Sequence, residues 1–420
     1  MTVETVGEGA AAAGVADAAT PAGTGPPGTA PEGTAPEGTA PEGTASAAGG
    51  AASGGRFPET AHEGHPVAVR PDLRALAGYH SPQVDVEVRL NTNESPYAPP
   101  PAFLAELRDE LGRIAFNRYP DRRCTDLRTA LAAHHGVGAD QVFCATGSNE
   151  VLQCLLLAYG GAGRAVATFE PSYTLHRHIA EVTGTPVVSA PRDAAFALDL
   201  EVVDELERTA APVITFVCSP NNPTGRAETL HTIQHVLDVA PGLVVVDEAY
   251  GQFARASALD LVRAGGPEAQ RLVVVRTFSK TFGLAAMRLG YMVADPAVVA
   301  ACELVVLPYN VDAVSQAAGR LALRHAHAMD ERVGQLVAER RRVQTALGAL
   351  PVQTWPSDAN FVLFRPLHAD AVEIWRRLVD RSVLIRDCSG WPGLDGCLRV
   401  TIGSPEENDR FLAAVDESLR

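Results

Sequence analysis

The middle of this 420-residue chain alternates short aliphatic runs with amphipathic segments of helical length. The runs are nearly continuous in Val, Ile, Leu and Ala, which is typical of strands buried on both faces of a parallel sheet. The intervening segments have the length and spacing of crossover helices. We therefore predict an α/β fold with a mainly parallel sheet sandwiched by helices. The predicted strands are Val142–Ala145, Ala165–Phe169, Val213–Val217, Leu243–Val246, Leu272–Val275 and Leu289–Val293, and the intervening helices include Val151–Tyr159, Leu175–Val182 and Thr229–Val239.

The pattern changes on either side of this region. Helical spacing precedes it at Leu104–Phe116 and Leu127–His135, and one long helical stretch follows it from Asp312 to Leu350. The remaining residues predict an α+β second domain. Its predicted elements are strands at Asn360–Phe364, Val383–Ile385 and Leu398–Ile402 and a closing helix from about Pro405.

The first 65 residues have a separate composition. They contain three copies of Gly-Thr-Ala-Pro-Glu between Gly28 and Glu42 and almost no large apolar side chains. Such a segment buries too little apolar surface to offset its chain entropy, so we predict a disordered tail. The start has neither a basic region nor a sustained apolar run, so no secretory signal is expected.

Charge and cysteine usage narrow the function classes. The formal net charge of −15 argues against nucleic acid as a partner. No apolar run approaches the roughly 20 residues of a membrane helix. The seven cysteines include no pair with CxxC spacing, which indicates reduced thiols and a cytoplasmic location. His231 and His235 lie four apart on a predicted helix, but no carboxylate or cysteine pattern accompanies them, so we predict no metal site.

One basic residue differs chemically from all the others. Of the 35 basic residues, 34 are arginine and the remaining one is Lys280. An arginine guanidinium stays protonated, whereas a lysine amine can lose its proton and condense with an aldehyde. Lys280 is therefore the candidate to form a Schiff base with pyridoxal phosphate.

Polar sequences follow four of the predicted strands. Ligands of open parallel sheets bind beyond the carboxyl ends of the strands, so we expect these sequences to meet in one crevice. They are Thr146–Asn149, Ser219–Pro223, Asp247-Glu248 and Thr277–Lys280.

These sequences supply what pyridoxal phosphate requires besides an amine: an acid for its pyridine nitrogen, donors for its phenolate oxygen and a cradle for its phosphate. Asp247 is the candidate acid, with helix capping as its alternative role. Tyr250 and Asn222 are candidate phenolate donors, although an asparagine between prolines also marks a turn. Tyr173 is a candidate for stacking on the ring, with plain packing as the alternative.

The phosphate has its own candidates. Gly147-Ser148-Asn149 opens a helix after a strand, where free backbone amides favour an anion. Arg288 lies eight residues after Lys280 and would pair with the phosphate, while the hydroxyls of Thr277 and Ser279 would add hydrogen bonds. The alternative is a surface lysine and arginine on an ordinary turn.

Taken in order, these motifs resemble those of the fold-type-I pyridoxal phosphate enzymes, in particular the class II aminotransferases and, within them, the histidinol-phosphate aminotransferase family. The resemblance runs from about Leu90 to the C-terminus. It includes Leu90–Glu94, Asn117–Pro120, Leu307–Tyr309, Ser357–Phe361 and Gly396–Val400. It implies a tail at 1–65, an N-terminal arm with part of the small domain at 66–115, a large cofactor-binding domain at 116–311 and a C-terminal small domain at 312–420.

The resemblance also implies roles for residues outside the crevice motifs. It implies a homodimer in which Tyr119 reaches the cofactor phosphate of the partner subunit. It implies that Arg399 binds the substrate α-carboxylate and that Arg386 binds a phosphate at the far end of the substrate, with Asn222 also contacting the substrate. Ser95 departs from relatives that carry an aromatic residue there, and Tyr97 is expected to substitute for it.

The implied activity is transamination between L-histidinol phosphate and 2-oxoglutarate in histidine biosynthesis. Two alternatives keep the cofactor: an aromatic amino-acid aminotransferase and a phosphothreonine decarboxylase. A third is a DNA-binding regulator that has lost catalysis, which the acidic tail and the filled catalytic positions disfavour.

Several further residues are expected to be structural. His176 and His178 are expected at the surface, with an approach of one of them to the substrate as the alternative. Cys388 and Cys397 are expected to pack as small apolar residues, and the run 339–342 is expected to be solvated.

Overall fold

The computed structural model describes residues 67, 69–74, 76 and 82–420. The predicted disordered tail lies outside these residues. Within them, no helix combines the length and apolar character that crossing a membrane requires.

The described residues form two sheets and the helices that cover them. The strands are β1 (Val88–Leu90), β2 (Val142–Ala145), β3 (Val166–Glu170), β4 (Val187–Pro191), β5 (Ile214–Cys218), β6 (Leu243–Asp247), β7 (Leu272–Thr277), β8 (Gly290–Val293), β9 (Val352–Thr354), β10 (Phe361–Pro366), β11 (Val383–Asp387) and β12 (Leu398–Thr401). The helices are α1 (Pro101–Leu111), α2 (Thr125–His135), α3 (Ser148–Tyr159), α4 (Thr174–Val182), α5 (Leu200–Ala210), α6 (Leu230–Val239), α7 (Leu259–Ala264), α8 (Pro296–Val305), α9 (Ala313–Arg324), α10 (Ala326–Leu347), α11 (Ala371–Asp380) and α12 (Pro405–Leu419).

The larger sheet has seven strands in the order β2-β8-β7-β6-β5-β3-β4. Its pairings are parallel from β7 through β6, β5 and β3 to β4, whereas β8 runs antiparallel to both β2 and β7. Strands β5, β6 and β7 are buried along their whole length, as expected for a sheet covered on both faces. The predicted α/β fold and its six predicted strands are confirmed.

The smaller sheet has the order β1-β11-β12-β10-β9. Strand β1 precedes the larger sheet in the chain and pairs in parallel with β11, while the other pairings are antiparallel. The predicted strands and closing helix of this region are confirmed. The helical stretch predicted from Asp312 to Leu350 is confirmed; it consists of two helices, α9 and α10, which meet at His325.

Side chains cap the start of several helices. Asp199, Asp295, Asp312 and Asp370 each accept a hydrogen bond from a backbone N–H of the first turn of the helix that they precede. Ser404 and Glu407 form a reciprocal capping box at the start of α12. Each cap satisfies backbone donors that the helix cannot satisfy itself.

The expectation that the run 339–342 is solvated is wrong for Arg340. Its guanidinium is buried, and Nη1 donates to the carbonyl oxygen of Ala359 at 2.7 Å. Its neighbours Glu339 and Arg342 do form a partly exposed ion pair at 2.8 Å. The long side chain of Arg340 reaches inward from α10 to the loop that precedes β10.

Candidate active site

A cavity of about 580 Å³ lies between the carboxyl edge of the larger sheet and the smaller sheet. Polar residues from both sheets line it, and most of the predicted site residues are among them. The predicted residues that line it are Ser148, Asn149, Tyr173, Asn222, Asp247, Tyr250, Thr277, Ser279, Lys280, Arg288, Arg386 and Arg399.

Lys280 lies three residues beyond the end of β7 and points into this cavity. Its Nζ donates to the carbonyl oxygen of Thr92 at 2.8 Å. Burial lowers the pKa of Lys280 to about 8; the charges of Arg399 and Arg288 act in the same direction, and that of Glu94 opposes them. The neutral amine, which is the form that attacks an aldehyde, is therefore much more populated near neutral pH than in an exposed lysine.

Asp247 ends β6 with 1% of its surface exposed. Its Oδ1 accepts from the backbone N–H of Ala249 at 3.0 Å, and its Oδ2 lies 3.0 Å from Nε2 of His176. The ring of His176 stacks on Phe216 with the centroids 4.7 Å apart. The carboxylate is therefore held rigidly, with its hydrogen bonds supplied from two directions.

The prediction that His176 lies at the surface is wrong. His176 is fully buried, because it shares the sheet-facing side of α4 with Ala180, four residues later. That spacing is the signal that could have indicated its position. His178, on the same helix, lines the cavity and is partly exposed.

Tyr250 is held by a chain of hydrogen bonds from the smaller sheet. Nδ2 of Asn93 donates to the hydroxyl oxygen of Tyr250 at 2.9 Å, and Oγ1 of Thr401 donates to Oδ1 of Asn93 at 3.0 Å. Burial raises the pKa of Tyr250 to about 12, so its hydroxyl keeps its proton and can donate it to an acceptor in the cavity. Asn93 lies in one of the segments that carry the family resemblance, but its contact with Tyr250 is not evident from the sequence.

Arg399 connects the smaller sheet to the loop that follows β5. Its Nη1 donates to Oδ1 of Asn222, and its Nη2 donates to the carbonyl oxygen of Asn91 at 2.8 Å. Its guanidinium also lies over the ring of Phe361, 5.1 Å from the centroid. The contact with Arg399 occupies the amide oxygen of Asn222 and orients its NH₂ group as the donor.

Backbone amides, hydroxyls and a guanidinium converge at the start of α3. Gly147 precedes the helix with φ +81°, and a Cβ at this position would lie 2.8 Å from Nη2 of Arg288. Nη1 of Arg288 donates to Oγ of Ser279 at 3.2 Å, and the hydroxyl of Thr277 donates to the same oxygen at 3.0 Å. A helix N-terminus beside a guanidinium and hydroxyls suits a phosphate group.

Two cavity arginines lie directly opposite each other in the smaller sheet. Arg386 of β11 and Arg399 of β12 are register partners in the antiparallel pairing, so their side chains leave the same face. The guanidinium of Arg386 lies over the ring of Trp391, 6.0 Å from its centroid. Sequence reasoning missed Trp391, Thr92 and Glu94 as cavity residues.

The structure does not bring two predicted site residues into this cavity. Tyr97 is absent from its lining and packs instead against the core of the smaller sheet. Tyr119 is 80% exposed and stacks on Tyr309 with the centroids 4.4 Å apart. A substrate contact by Tyr97 and a contact by Tyr119 with a partner subunit stay predictions.

The remaining sequence expectations concern residues outside the cavity. Cys388 and Cys397 are buried with Leu363 and Leu394, so their predicted packing role is confirmed. His235 pairs with Asp204 at 2.6 Å on the partly exposed face of α6. No group of three or more potential metal ligands occurs among the described residues.

Residues 85–415 match the sequence profile of the family described as aminotransferase class I and II. The chain belongs to this family. Two curated relatives of this aminotransferase are named histidinol-phosphate aminotransferase. That of Corynebacterium diphtheriae is 46% identical over 358 residues, covering 83% of this chain and 96% of the relative. That of Mycobacterium avium is 46% identical over 355 residues, covering 82% and 87%.

A solved structure has the same fold. The histidinol-phosphate aminotransferase of Sinorhizobium meliloti, in complex with pyridoxal-5'-phosphate, superposes with a TM-score of 0.77 at 25% sequence identity. The match covers 84% of this aminotransferase and 97% of that chain.

The cavity of this aminotransferase fits pyridoxal phosphate. Lys280 offers a partly buried amine of lowered pKa, and Asp247 offers a buried carboxylate for a protonated ring nitrogen. Tyr250 and Asn222 offer donors for the phenolate oxygen. The start of α3 and Arg288 offer the phosphate cradle, in which a glycine leaves room that a side chain would fill.

The lowered pKa of Lys280 can be measured directly in the protein freed of cofactor. Reductive methylation with ¹³C-formaldehyde labels Lys280 and the N-terminal amine, because the chain has no other lysine. We expect the lysine signal of the folded protein to titrate near pH 8, whereas in urea it should return to roughly 10.4. The substitution Arg399→Gln should raise the folded value, since that charge opposes protonation. A folded midpoint equal to that in urea would contradict this electrostatic description.

Proposed function

We propose that this aminotransferase uses pyridoxal phosphate to exchange an amino group between L-histidinol phosphate and 2-oxoglutarate, as a step of histidine biosynthesis. The observation that carries the proposal is the pair Arg386 and Arg399, which face the same cavity as Lys280. Histidinol phosphate carries a phosphate, and glutamate carries two carboxylates, so both substrates need cationic partners. The names of the curated relatives support the same substrate.

Pyridoxal phosphate, when bound, supplies the aldehyde that takes up the amino group and a ring that withdraws electrons from the substrate α-carbon. The residues of the chain hold and move the protons. Asp247, positioned by His176, keeps the ring nitrogen protonated, and the neutral amine of Lys280 takes the proton from the α-carbon.

The arginines orient the substrates. Arg399 is braced by Asn222, Asn91 and Phe361, so its planar guanidinium presents a fixed surface to the α-carboxylate of glutamate. Histidinol phosphate has no α-carboxylate, and its phosphate is carried by the carbon next to the amino-bearing carbon. The expectation that this phosphate lies at the far end of the substrate is wrong, because the far end is the imidazole ring. Arg386, directly across the strand pair, is placed to bind that phosphate.

The two arginines, Arg386 and Arg399, distinguish histidinol phosphate from phenylalanine better than from phosphothreonine. Phenylalanine carries a single anionic group, so in an aromatic amino-acid aminotransferase Arg386 would serve only the second carboxylate of glutamate. Phosphothreonine carries both a carboxylate and a phosphate and would engage both arginines. The family match and the named relatives favour transamination over decarboxylation.

We further propose a homodimer that acts in the cytoplasm. An exposed apolar surface supports the dimer; it is formed by Phe116 and Tyr119 before α2 and by Leu304 and Leu307 at the end of α8. Arg123 links these two segments through an ion pair with Glu303 at 3.2 Å. The seven free, buried cysteines fit a reducing compartment. In this dimer Tyr119 would reach the cofactor phosphate of the partner subunit.

Substrate choice can be tested by single-turnover half-reactions of the holoenzyme with histidinol phosphate, phenylalanine and phosphothreonine. We expect pyridoxamine phosphate to form fastest with histidinol phosphate. The substitution Arg386→Gln should lower kcat/KM for histidinol phosphate about 10- to 100-fold, because it removes one hydrogen-bonded contact between charges. The same substitution should change kcat/KM for phenylalanine about threefold at most.

The matched control is Arg376→Gln, which removes an exposed arginine from α11. It should leave all three rates unchanged. Equal losses for histidinol phosphate and phenylalanine in Arg386→Gln would show that Arg386 does not bind the phosphate. Release of carbon dioxide from phosphothreonine would replace transamination with decarboxylation.

The shared site can be tested by mixing two inactive variants. Lys280→Arg retains the positive charge but removes the amine that condenses with the cofactor aldehyde. Tyr119→Ala removes the side chain that is expected to cross the subunit interface. A hybrid dimer contains one site in which both residues are native, so random exchange of subunits should restore about a quarter of the native activity. Absence of restored activity after verified subunit exchange would contradict a site completed by the partner's tyrosine.

A further inference from the structure

A second cavity, of about 470 Å³, lies between α10, the segment just before α7 and the loop that precedes β10. It shares no lining residue with the active-site cavity. Three of its lining residues are arginines: Arg255, Arg340 and Arg341. The one acidic residue among those that line it is Asp358.

Arg340 is the innermost of these arginines, with 6% of its surface exposed. Its Nη1 donates to the carbonyl oxygen of Ala359, but its Nη2 lies 4.0 Å from Oδ1 of Asp358, at the limit of an ion pair. Its Nε has no hydrogen-bond partner within the described part of the chain. A buried guanidinium with so little compensation is costly unless an anion approaches it.

The other two arginines add charge that no neighbour neutralises. Arg255 and Arg341 are exposed, and within residues 82–420 neither guanidinium forms a hydrogen bond or an ion pair. Burial lowers the pKa of Arg340; the charges of Arg341 and Arg255 act in the same direction, and that of Asp358 opposes them. The three cations therefore repel one another around a partly enclosed space.

The charges of the lining indicate the kind of anion that fits. Three guanidiniums and one carboxylate leave an excess of two positive charges, and a phosphate group carries about −1.5 to −2 near neutral pH. Guanidinium groups also match the geometry of phosphate oxygens, which accept two parallel N–H bonds. The hydroxyl of Ser357 and the amide of Gln344 lie in the same lining.

We propose that this cavity is a second anion site, which binds the phosphate group of a small molecule through Arg255, Arg340 and Arg341. The site is separate from the proposed function, and nothing in the transamination requires it. It adjoins the loop Ser357–Asn360, whose Asp358 N–H donates to the carbonyl oxygen of Gly225 at 2.7 Å. Gly225 belongs to the same loop as Asn222, so the bound anion would brace a segment next to the active site.

The test measures phosphate binding to the holoenzyme by titration calorimetry. It uses an Arg386→Gln background, in which the proposed substrate phosphate contact is removed. Inorganic phosphate should still bind there with about one site per chain. Adding Arg255→Gln and Arg341→Gln should weaken this binding at least tenfold, while Arg340, which supports the loop before β10, stays native.

The matched control adds Arg108→Gln and Arg376→Gln to the same background, which removes the same charge from exposed positions on α1 and α11. Its affinity for phosphate should equal that of the background. Absence of phosphate binding in the background, or equal weakening in the control, would overturn the proposal. Glycerol phosphate, titrated in parallel, should bind more tightly than inorganic phosphate if the occupant is a phosphate ester and more weakly if it is free phosphate.

Discussion

The parallel pairing of β5, β6 and β7 determines where the rest of the site lies. Cys218, at the end of β5, is the register partner of Asp247, and Asp247 in turn pairs with Val275 of β7. The loops carrying Asn222, Asp247 and Lys280 therefore leave the sheet side by side at one edge. The smaller sheet closes over this edge, and the hydrogen bond from Arg399 to Asn222 joins the two.

The cavity that the two sheets form is rich in positive charge. Lys280, Arg288, Arg386 and Arg399 concentrate positive charge in one partly enclosed space. This arrangement has two consequences: it helps to lower the pKa of the Lys280 amine, and it supplies partners for a cofactor phosphate and an anionic substrate. Asp247 lines the same cavity and is a carboxylate among these cations, held by His176 and by the backbone N–H of Ala249.

Sequence patterns predicted the parts of the fold that bury continuous aliphatic runs, and the site motifs that follow those runs. They missed β4, an edge strand whose residues are only partly buried, because an edge strand needs no continuous apolar run. His176 and Arg340 were placed at the surface because a polar residue usually lies there. Each is buried through one specific partner, Asp247 or the Ala359 carbonyl, that no local pattern reveals. Tyr97 is close in sequence to Ser95, for which it is expected to substitute, but its neighbours are set by how the smaller sheet packs.

The central claim is that the single lysine of the chain holds the cofactor. Borohydride reduction of the holoenzyme converts a link between an amine and an aldehyde into a stable secondary amine. Proteolysis and mass spectrometry should then find the added pyridoxyl phosphate group on the peptide that contains Lys280 and on no other peptide. Recovery of an unmodified Lys280 peptide from reduced, fully loaded enzyme would contradict this account.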